Sequence, residues 1–221
     1  MKRKYSNSRL PRKEREKLAR RMEILKAARE LFILKGYHQT TLEEIARHAE
    51  FGKGTIYIYF SSKEELFYGI IYQLMDEIVQ LTRSAISDSP GTAREKLTAY
   101  AKKMISHARM NSDLFHLIMR EIHHLQSQQK EAQLSQMRKR ASQIYQILAQ
   151  PIEAEIQAKK IKSLDPLKMA ALFDNMVRFC CINQFGKLKL FKNEITDDAV
   201  SFIVNIFFDG IAERKSIRIS L

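Results

Sequence analysis

Residues 40–67, TTLEEIARHAEFGKGTIYIYFSSKEELF, constrain the fold of this chain more than any other segment. Thr41 and Glu44 have the spacing of a capping box, in which each side chain bonds the backbone N–H of the other residue, so a helix is expected to begin here. Gly52 permits a sharp change of backbone direction before a second short helix begins at Lys53. The segment therefore predicts two short helices joined by a turn of about three residues, which is a helix-turn-helix arrangement.

The second helix of this pair, predicted for residues 53–60, has an inward and an outward face. At about 100° per residue, Ile56 and Phe60 share the inward face, where they are expected to anchor the helix to a core. The outward side carries Gly54, Thr55, Tyr57 and Ile58. Such a face suits the major groove of DNA, because a methyl-bearing side chain can touch thymine, hydroxyls can meet base edges or phosphates, and glycine permits close approach.

Basic charge is concentrated in the same part of the chain. Of the formal net charge of +13, residues 1–63 hold +9, from 16 Lys or Arg and 7 Asp or Glu. This asymmetry predicts binding to a polyanion with an affinity that falls steeply as salt rises. Residues 1–13 are basic and lack periodicity, so we expect a flexible arm that either enters the minor groove or serves as a solubilising tail.

Composition favours an all-α fold. The chain has 221 residues, 45% of them hydrophobic, with only seven glycines and four prolines. No apolar run approaches the roughly 18 residues of a membrane-spanning helix, and the basic N-terminus has no apolar stretch behind it. We therefore predict a cytoplasmic protein with no membrane partner.

The region after Lys63 is predicted to be helical throughout. The expected helices cover residues 63–86, 93–110, 113–125, 131–161, 166–186 and 197–214. Pro151 lies inside the fourth of them and is expected to kink or divide it, because proline removes a backbone N–H and its ring clashes with the preceding turn.

The last two predicted helices carry apolar stripes that are wide for single helices. One side is expected to fill the core of the protomer and the other to pack against a twofold partner, although both stripes filling one core is the alternative. The residues assigned to this dimer interface are Leu172, Phe179, Val200, Ile203, Val204, Phe207, Phe208 and Ile211. Twofold symmetry would also present two copies of the helix at residues 53–60, here called the reader helix, about 34 Å apart on one side of a duplex.

A small-molecule pocket is predicted among the middle helices, where apolar residues alternate with isolated polar ones. The candidate lining residues are Met104, His107, Phe115, Met119, His123, Tyr145, Phe173 and Met176. For each of them the alternative is ordinary core packing, and the methionines would give an adaptable lining.

Neither metal nor cofactor chemistry is expected. No carboxylate or cysteine has metal-ligand spacing with the histidines, so no metal and no other cofactor is predicted. Cys180 and Cys181 are neighbours, which disfavours a bond between them, and we expect a buried, reduced pair, with a redox sensor as the alternative.

A further pattern extends over residues 20–67. It comprises Ala27-Ala28, Leu31-Phe32, Gly36-Tyr37, Thr40-Thr41, Ile45-Ala46, Lys53-Gly54-Thr55-Ile56-Tyr57, Phe60 and Lys63-Glu64. This pattern resembles the TetR family of bacterial transcriptional repressors. The resemblance implies a three-helix DNA-binding domain at residues 14–67, behind the arm at 1–13, and a larger helical domain for ligand sensing and dimerisation at 68–221.

The resemblance also implies a set of operator contacts. It places Thr41, Gly52, Lys53, Gly54, Thr55, Tyr57, Tyr59 and Lys63 where the family contacts DNA, and the outward-face argument adds Ile58. Two positions depart from the family. Glu50 stands where the family usually has a left-handed glycine, at a cost of about 1 kcal/mol, and Gly52 stands where a serine often caps the reader helix and binds phosphate.

The sequence thus predicts a homodimeric regulator that binds double-stranded operator DNA with palindromic sequence. A small-molecule effector would favour a conformer whose reader helices are wrongly spaced, with the helix after Lys63 as the lever. Repression follows from the resemblance alone. The alternatives are a constitutive DNA-binding protein without a ligand and an all-helical enzyme. The chain lacks a glycine-rich phosphate loop, a metal-ligand cluster and a nucleophile elbow, so we predict that it is not an enzyme.

Overall fold

The computed structural model describes residues 11–126, 131–185 and 195–211, with backbone only for 122–126, 183–185, 195–196 and 211. Within these ranges every regular element is an α-helix. They are α1 (Arg12–Lys35), α2 (Leu42–His48), α3 (Lys53–Tyr59), α4 (Lys63–Ser87), α5 (Ala93–Met110), α6 (Ser112–Gln126), α7 (Glu131–Gln157), α8 (Pro166–Phe185) and α9 (Ile195–Ile211). The predicted all-α fold is confirmed.

The described residues form two compact units. Residues 11–73 and 117–126 make up the N-terminal unit, and residues 74–116, 131–185 and 195–211 make up the C-terminal unit. Helices α4 and α6 therefore each contribute residues to both units. Residues 1–10, which include most of the predicted basic arm, lie outside the described part of the chain.

The N-terminal unit is built on a core of aliphatic and aromatic side chains. Its fully buried members include Ile24, Leu25, Ala28, Phe32, Ile45, Ile56, Phe60, Leu66 and Phe67. The rings of Phe32 and Tyr37 have centroids 5.3 Å apart, and those of Tyr37 and Phe67 are 5.1 Å apart. A Cβ on Gly69 would lie only 2.8 Å from Leu25 Cδ2, so α4 passes close to α1 here, and a larger residue would require the Leu25 side chain to shift.

The turn between α2 and α3 holds a strained residue. Glu50 has φ 58°, in the left-handed region where a side chain costs about 1 kcal/mol. The turn is fixed on both sides of it, because Glu50 N donates to Arg47 O at 3.2 Å and Phe51 N donates to Ala46 O at 2.8 Å. The departure from the family glycine is therefore accommodated by the turn itself.

The C-terminal unit has a core drawn from helices α5, α7, α8 and α9. Tyr100, Met104, Leu148, Phe173 and Phe207 are all buried, and the rings of Phe173 and Phe207 meet edge to face with centroids 5.0 Å apart. Such aromatic pairs contribute about 0.5–1.5 kcal/mol beyond the area that they bury.

One helix of this unit differs from its prediction. Pro151 was expected to kink or divide the fourth predicted helix, and the helix is not divided there, because α7 runs as one element from Glu131 to Gln157. Pro151 is buried, as are its neighbours Leu148 and Ile152. The helix ends at Gln157 and not at residue 161 as predicted, and Lys159, in the turn that follows, takes φ 54°.

Among the described helices, none combines the length and the apolar character that a bilayer crossing requires.

Candidate DNA interface and effector region

Helix α3 presents the two faces that the sequence predicts. Ile56 and Phe60 are buried in the N-terminal unit, whereas Tyr57 is 49% and Ile58 is 73% exposed. Gly54 is also exposed, and a Cβ placed on it would meet no atom within 4 Å. The glycine therefore serves no internal packing, and the outward face of α3 is open to an external partner.

The start of α3 is equally open. Gly52 is the N-cap residue, with φ −66° and ψ 148°, and no side chain caps the helix. A Cβ on Gly52 would also stand in open space. The first backbone N–H groups of α3 are thus left without the serine hydroxyl that usually serves here, and they can donate to a phosphate oxygen.

Thr41 and Glu44 form the predicted capping box at the start of α2. Glu44 N donates to Thr41 Oγ1 at 3.2 Å, and Thr41 N donates to Glu44 Oε2 at 3.0 Å. Lys35 Nζ lies 2.7 Å from Glu44 Oε1, and this bond together with the Thr41 backbone bond lowers the pKa of Glu44 to about 2. Thr41 is exposed, so its position allows a DNA contact as well as its capping role.

Lys53, at the first position of α3, lies on the surface and pairs with Glu43 of α2. This hydrogen bond is the largest cause of the lowered pKa of Glu43 and of the raised pKa of Lys53. The pair links α2 to α3, and both side chains are exposed. A phosphate could therefore replace Glu43 as the partner of Lys53 with little rearrangement.

Lys63 lies in a different environment from the other predicted contacts. Its Nζ donates to the carbonyl oxygens of Tyr37 at 2.9 Å, His38 at 3.3 Å and Thr40 at 3.0 Å. It also lies 4.6 Å from the centre of the Tyr37 ring, and burial lowers its pKa. All three N–H donors of this ammonium group are used internally, so a phosphate contact would require these bonds to break.

The remaining predicted contacts flank the outward face of α3. Thr55 and Tyr59 are both partly buried. Two contacts that hold this face in place were not predicted from the sequence. The guanidinium carbon of Arg21 in α1 lies 4.7 Å from the centre of the Phe60 ring. Lys63 binds the loop at residues 37–40. These partners are 23–39 residues apart in the chain, so no local motif could have indicated them.

The predicted effector residues are distributed over both compact units. Met104 and Phe173 are fully buried in the C-terminal unit, where His107, Phe115, Tyr145 and Met176 are partly buried. Met119 is an exposed residue of the N-terminal unit, and the side chain of His123 lies outside the described residues. The six residues of the C-terminal unit remain the candidate lining.

A buried polar network lies beside these residues. Asp174 is fully buried, accepts a hydrogen bond from the hydroxyl of Tyr100, and lies 2.6 Å from Arg178 Nε. Burial and the Asp174 charge both raise the pKa of Tyr100. The sequence analysis did not single out this network, because Tyr100 and Asp174 are 74 residues apart.

The predicted dimer interface needs correction. Val200, Ile203, Val204, Phe207 and Phe208 are buried inside their own unit, so a partner chain cannot reach them. Leu172 and Phe179 are 58% and 55% exposed, and Phe202 and Ile206 of α9, which the prediction omitted, are also exposed. Apolar residues lie on two sides of α9, and the sequence alone did not show which side faces the core. The side chain of Ile211 lies outside the described residues.

The two cysteines are buried and carry free thiols. Burial raises the pKa of Cys180 to about 11 and that of Cys181 to about 12. Within the part of the chain that the structure describes, no group of three or more His, Cys, Asp or Glu could hold a metal ion.

Comparison with known proteins connects this geometry to a family. Residues 24–69 match the family model for bacterial regulatory proteins of the tetR family. The Fatty acid metabolism regulator protein of Bacillus subtilis is 33% identical over 92 residues, 42% of this chain and 47% of that protein. The transcriptional activator FasR of Mycolicibacterium smegmatis is 33% identical over 111 residues, 50% of this chain and 48% of FasR. The chain spans between about a quarter and a half of the length of the curated relatives that it matches.

Solved structures show that the likeness in fold extends beyond the matched segment. The transcriptional regulator FadR from Bacillus subtilis, in complex with stearoyl-CoA, superposes with a TM-score of 0.65 at 22% identity, covering 86% of this chain and 98% of FadR. At this identity the match concerns the fold alone.

Proposed function

We propose that this chain is a TetR-family transcriptional regulator with an N-terminal helix-turn-helix, which binds a palindromic operator as a homodimer and leaves it when a small-molecule effector binds. The observation that carries the proposal is the exposed face of α3. Tyr57 and Ile58 point outward while Ile56 fixes the helix to the core, and Gly52 and Gly54 leave space for a duplex.

On the DNA, some residues of this face would contact phosphates and others would contact bases. The open N-terminus of α3, Lys53 and Thr41 would bond phosphates and fix the register. Ile58 would touch a thymine methyl group, and Tyr57 and Thr55 would meet base edges or phosphates. The net charge of +9 on residues 1–63 would add an attraction that salt weakens.

Homodimerisation is supported by the exposed apolar residues of α8 and α9. Leu172, Phe179, Phe202 and Ile206 would lose their contact with water when two copies pack these helices together. A twofold pair presents two α3 helices, which suits half-sites about 34 Å apart. Because it acts on operator DNA, we place the protein in the cytoplasm.

The effector is proposed to be a long-chain acyl thioester. One relative is the Fatty acid metabolism regulator protein of Bacillus subtilis, and the FadR structure contains stearoyl-CoA. Met104 and Phe173 are fully buried and Met176 is partly buried, so an acyl chain would have to enter the packed core of the C-terminal unit, where the methionines can adapt to its shape. Arg178 is already paired with buried Asp174 at 2.6 Å, so an anionic group of the effector would have to share this arginine with Asp174.

Release would follow from a shift between two conformers. An effector that binds one conformer of the C-terminal unit more tightly draws the population towards it. Helix α4 contributes residues to both units, so a change in its tilt would reach the residues at its N-terminal end. We propose repression as the outcome, since bound protein on an operator obstructs transcription. Activation is the alternative, because one relative is named as a transcriptional activator.

Two measurements test this function. Selection from random-sequence duplexes at two salt concentrations should enrich a palindrome, whereas retention without enrichment would contradict operator recognition. Stearoyl-CoA should then displace the protein from the enriched duplex, with CoA lacking an acyl chain as the control. Equal displacement by both, or by neither, would contradict the proposed effector class.

A further inference from the structure

A carboxylate lies among the proposed DNA contacts and pairs with one of them. Glu43 is in the first turn of α2, and its Oε1 contacts the ammonium nitrogen of Lys53, the first residue of α3. Both residues belong to the N-terminal unit. Both are also open to water, because the side chain of Glu43 is 47% and that of Lys53 is 59% exposed. A charged group from outside the protein can therefore reach either member of the pair.

The neighbouring carboxylate of Glu44 shows that Glu43 is not needed to cap α2. Glu44 Oε2 accepts a hydrogen bond from Thr41 N at 3.0 Å, and Glu44 Oε1 accepts one from Lys35 Nζ at 2.7 Å. These bonds complete the capping box and tie α2 to the end of α1. The contact of Glu43 crosses to α3 instead. The two adjacent carboxylates thus have different partners, and the one on Lys53 lies beside a proposed phosphate contact.

The pair neutralises the charge of Lys53 in the free protein. The hydrogen bond from Lys53 lowers the pKa of Glu43, so this carboxylate is ionised at neutral pH. A phosphate oxygen that binds Lys53 must either displace Glu43 or share the ammonium group with it. In both cases a negative carboxylate is left close to a negative phosphate, and like charges at short range repel each other. The carboxylate therefore opposes the contact for which Lys53 is otherwise well placed.

We propose that Glu43 restrains DNA binding by competing with the phosphate backbone for Lys53, so that the protein binds operator and non-operator duplexes more weakly than its basic charge alone would allow. This inference rests on the proposed function, in which Lys53 bonds a phosphate. The restraint is independent of base sequence, because contacts with phosphate carry no sequence information. It lowers the electrostatic part of binding, and a stable complex then depends more on the base contacts of α3.

The test measures the affinity of Glu43→Gln for the selected operator and for a scrambled duplex of the same length, by fluorescence anisotropy. Glutamine keeps the size of the side chain and removes its charge. The variant should bind both duplexes roughly threefold to fivefold more tightly than wild type at about 50 mM salt, the upper range for an exposed ion pair. At about 200 mM salt the gain should fall below about twofold, because one more phosphate contact steepens the logarithmic salt dependence by about 0.9.

A second background separates competition for Lys53 from a general effect of charge. In Lys53→Met there is no ammonium group to compete for, so adding Glu43→Gln should raise the affinity less than about twofold even at low salt. Glu131→Gln is the matched control, because Glu131 of α7 pairs with Arg138 at 2.7 Å in the C-terminal unit and both side chains are exposed. It makes the same change in net charge and should leave both affinities at their wild-type values.

The outcomes distinguish this inference from the proposed function. If Glu43→Gln binds no more tightly than wild type, while wild type still prefers the operator, the restraint is overturned and operator recognition is not. A gain of the same size in the Lys53→Met background, or in Glu131→Gln, also overturns it. Wild-type protein with no preference for the operator over the scrambled duplex contradicts the proposed function itself. Because Glu43 is exposed, Glu43→Gln should melt within about 3 °C of wild type, and Glu43→Ala should show the same gain in affinity.

Discussion

The ammonium nitrogen of Lys63 lies 2.9 Å from the carbonyl oxygen of Tyr37 and 4.6 Å from the centre of the ring of the same residue. Lys63 is the first residue of α4, and Tyr37 lies in the loop between α1 and α2. This contact therefore joins α4 to the loop that precedes the helix-turn-helix. The lysine therefore acts on the DNA-binding surface through the loop. Lys53 is exposed and paired with Glu43, and it is the lysine for which we propose direct contact with phosphate.

Replacing these two lysines one at a time should separate an effect on the free energy of unfolding from an effect on operator affinity. Lys63→Met leaves three loop carbonyls without their donor and should lower the free energy of unfolding by about 1–3 kcal/mol. Lys53→Met removes an exposed charge and should leave the free energy of unfolding close to that of wild type, while it weakens operator binding and reduces the salt dependence of binding. Urea unfolding and operator titrations at several salt concentrations measure both effects. Equal stability of the two variants would contradict the role given to Lys63.

The capping boxes of the two units provide a second matched pair. Thr41 caps α2, and Thr92 caps α5 with the same reciprocal bonds to Glu95. Replacing either threonine by alanine should cost about 1 kcal/mol of stability. Only Thr41→Ala should also weaken operator binding, because α2 and the phosphate contact belong to the N-terminal unit. Thermal unfolding and anisotropy compare them, and an equal loss of operator affinity in Thr92→Ala would refute the distinction.

Three positions on α3 test its two faces. Tyr57→Ala should weaken operator binding roughly tenfold, or about 1.4 kcal/mol, and Ile58→Ala should mainly relax sequence preference. Both should unfold within about 0.5 kcal/mol of wild type, since these side chains are exposed. Ile56→Ala should instead cost about 2–5 kcal/mol of stability, because it leaves a cavity in the core. Wild-type operator affinity and preference in Tyr57→Ala and Ile58→Ala would show that the face is wrongly assigned.

The thiols of Cys180 and Cys181 should be unreactive in the folded protein. Their pKa values of about 11 and about 12 leave very little thiolate at pH 8, and both side chains are buried. Since both values lie above the ordinary 9.0, the stability that they contribute is complete below pH 9 and is lost as pH rises from there towards 12. A thiol-specific reagent at pH 8 should modify neither cysteine until denaturant is added. Rapid modification of the folded protein would favour a redox sensor.

Local patterns predicted the elements of the site well. The capping box at Thr41 and the apolar spacing of Ile56 and Phe60 need only a few residues to act, and both were visible in the sequence. The left-handed backbone conformation of Glu50 could also be predicted, because a turn of this kind requires a left-handed residue at that position.

Long-range partners could not be predicted in the same way. Lys63 has a motif position typical of a DNA contact, yet its bonding partners are 23–26 residues away and depend on how α4 packs. The apolar stripe of α9 shows the same difficulty. Val204 and Ile206 are both apolar, and only the packing of α9 shows that one is buried and the other exposed.

The most direct test of the account is the mass of the complex on the selected operator, measured by analytical ultracentrifugation. Two chains should bind each palindrome, and a duplex with one half-site should bind much more weakly. Phe179→Asp should reduce the free protein to a monomer and weaken operator binding, whereas Met110→Asp, which changes an exposed residue at the end of α5, should leave both unchanged. A single chain that binds the half-site as tightly as the palindrome would contradict the proposal.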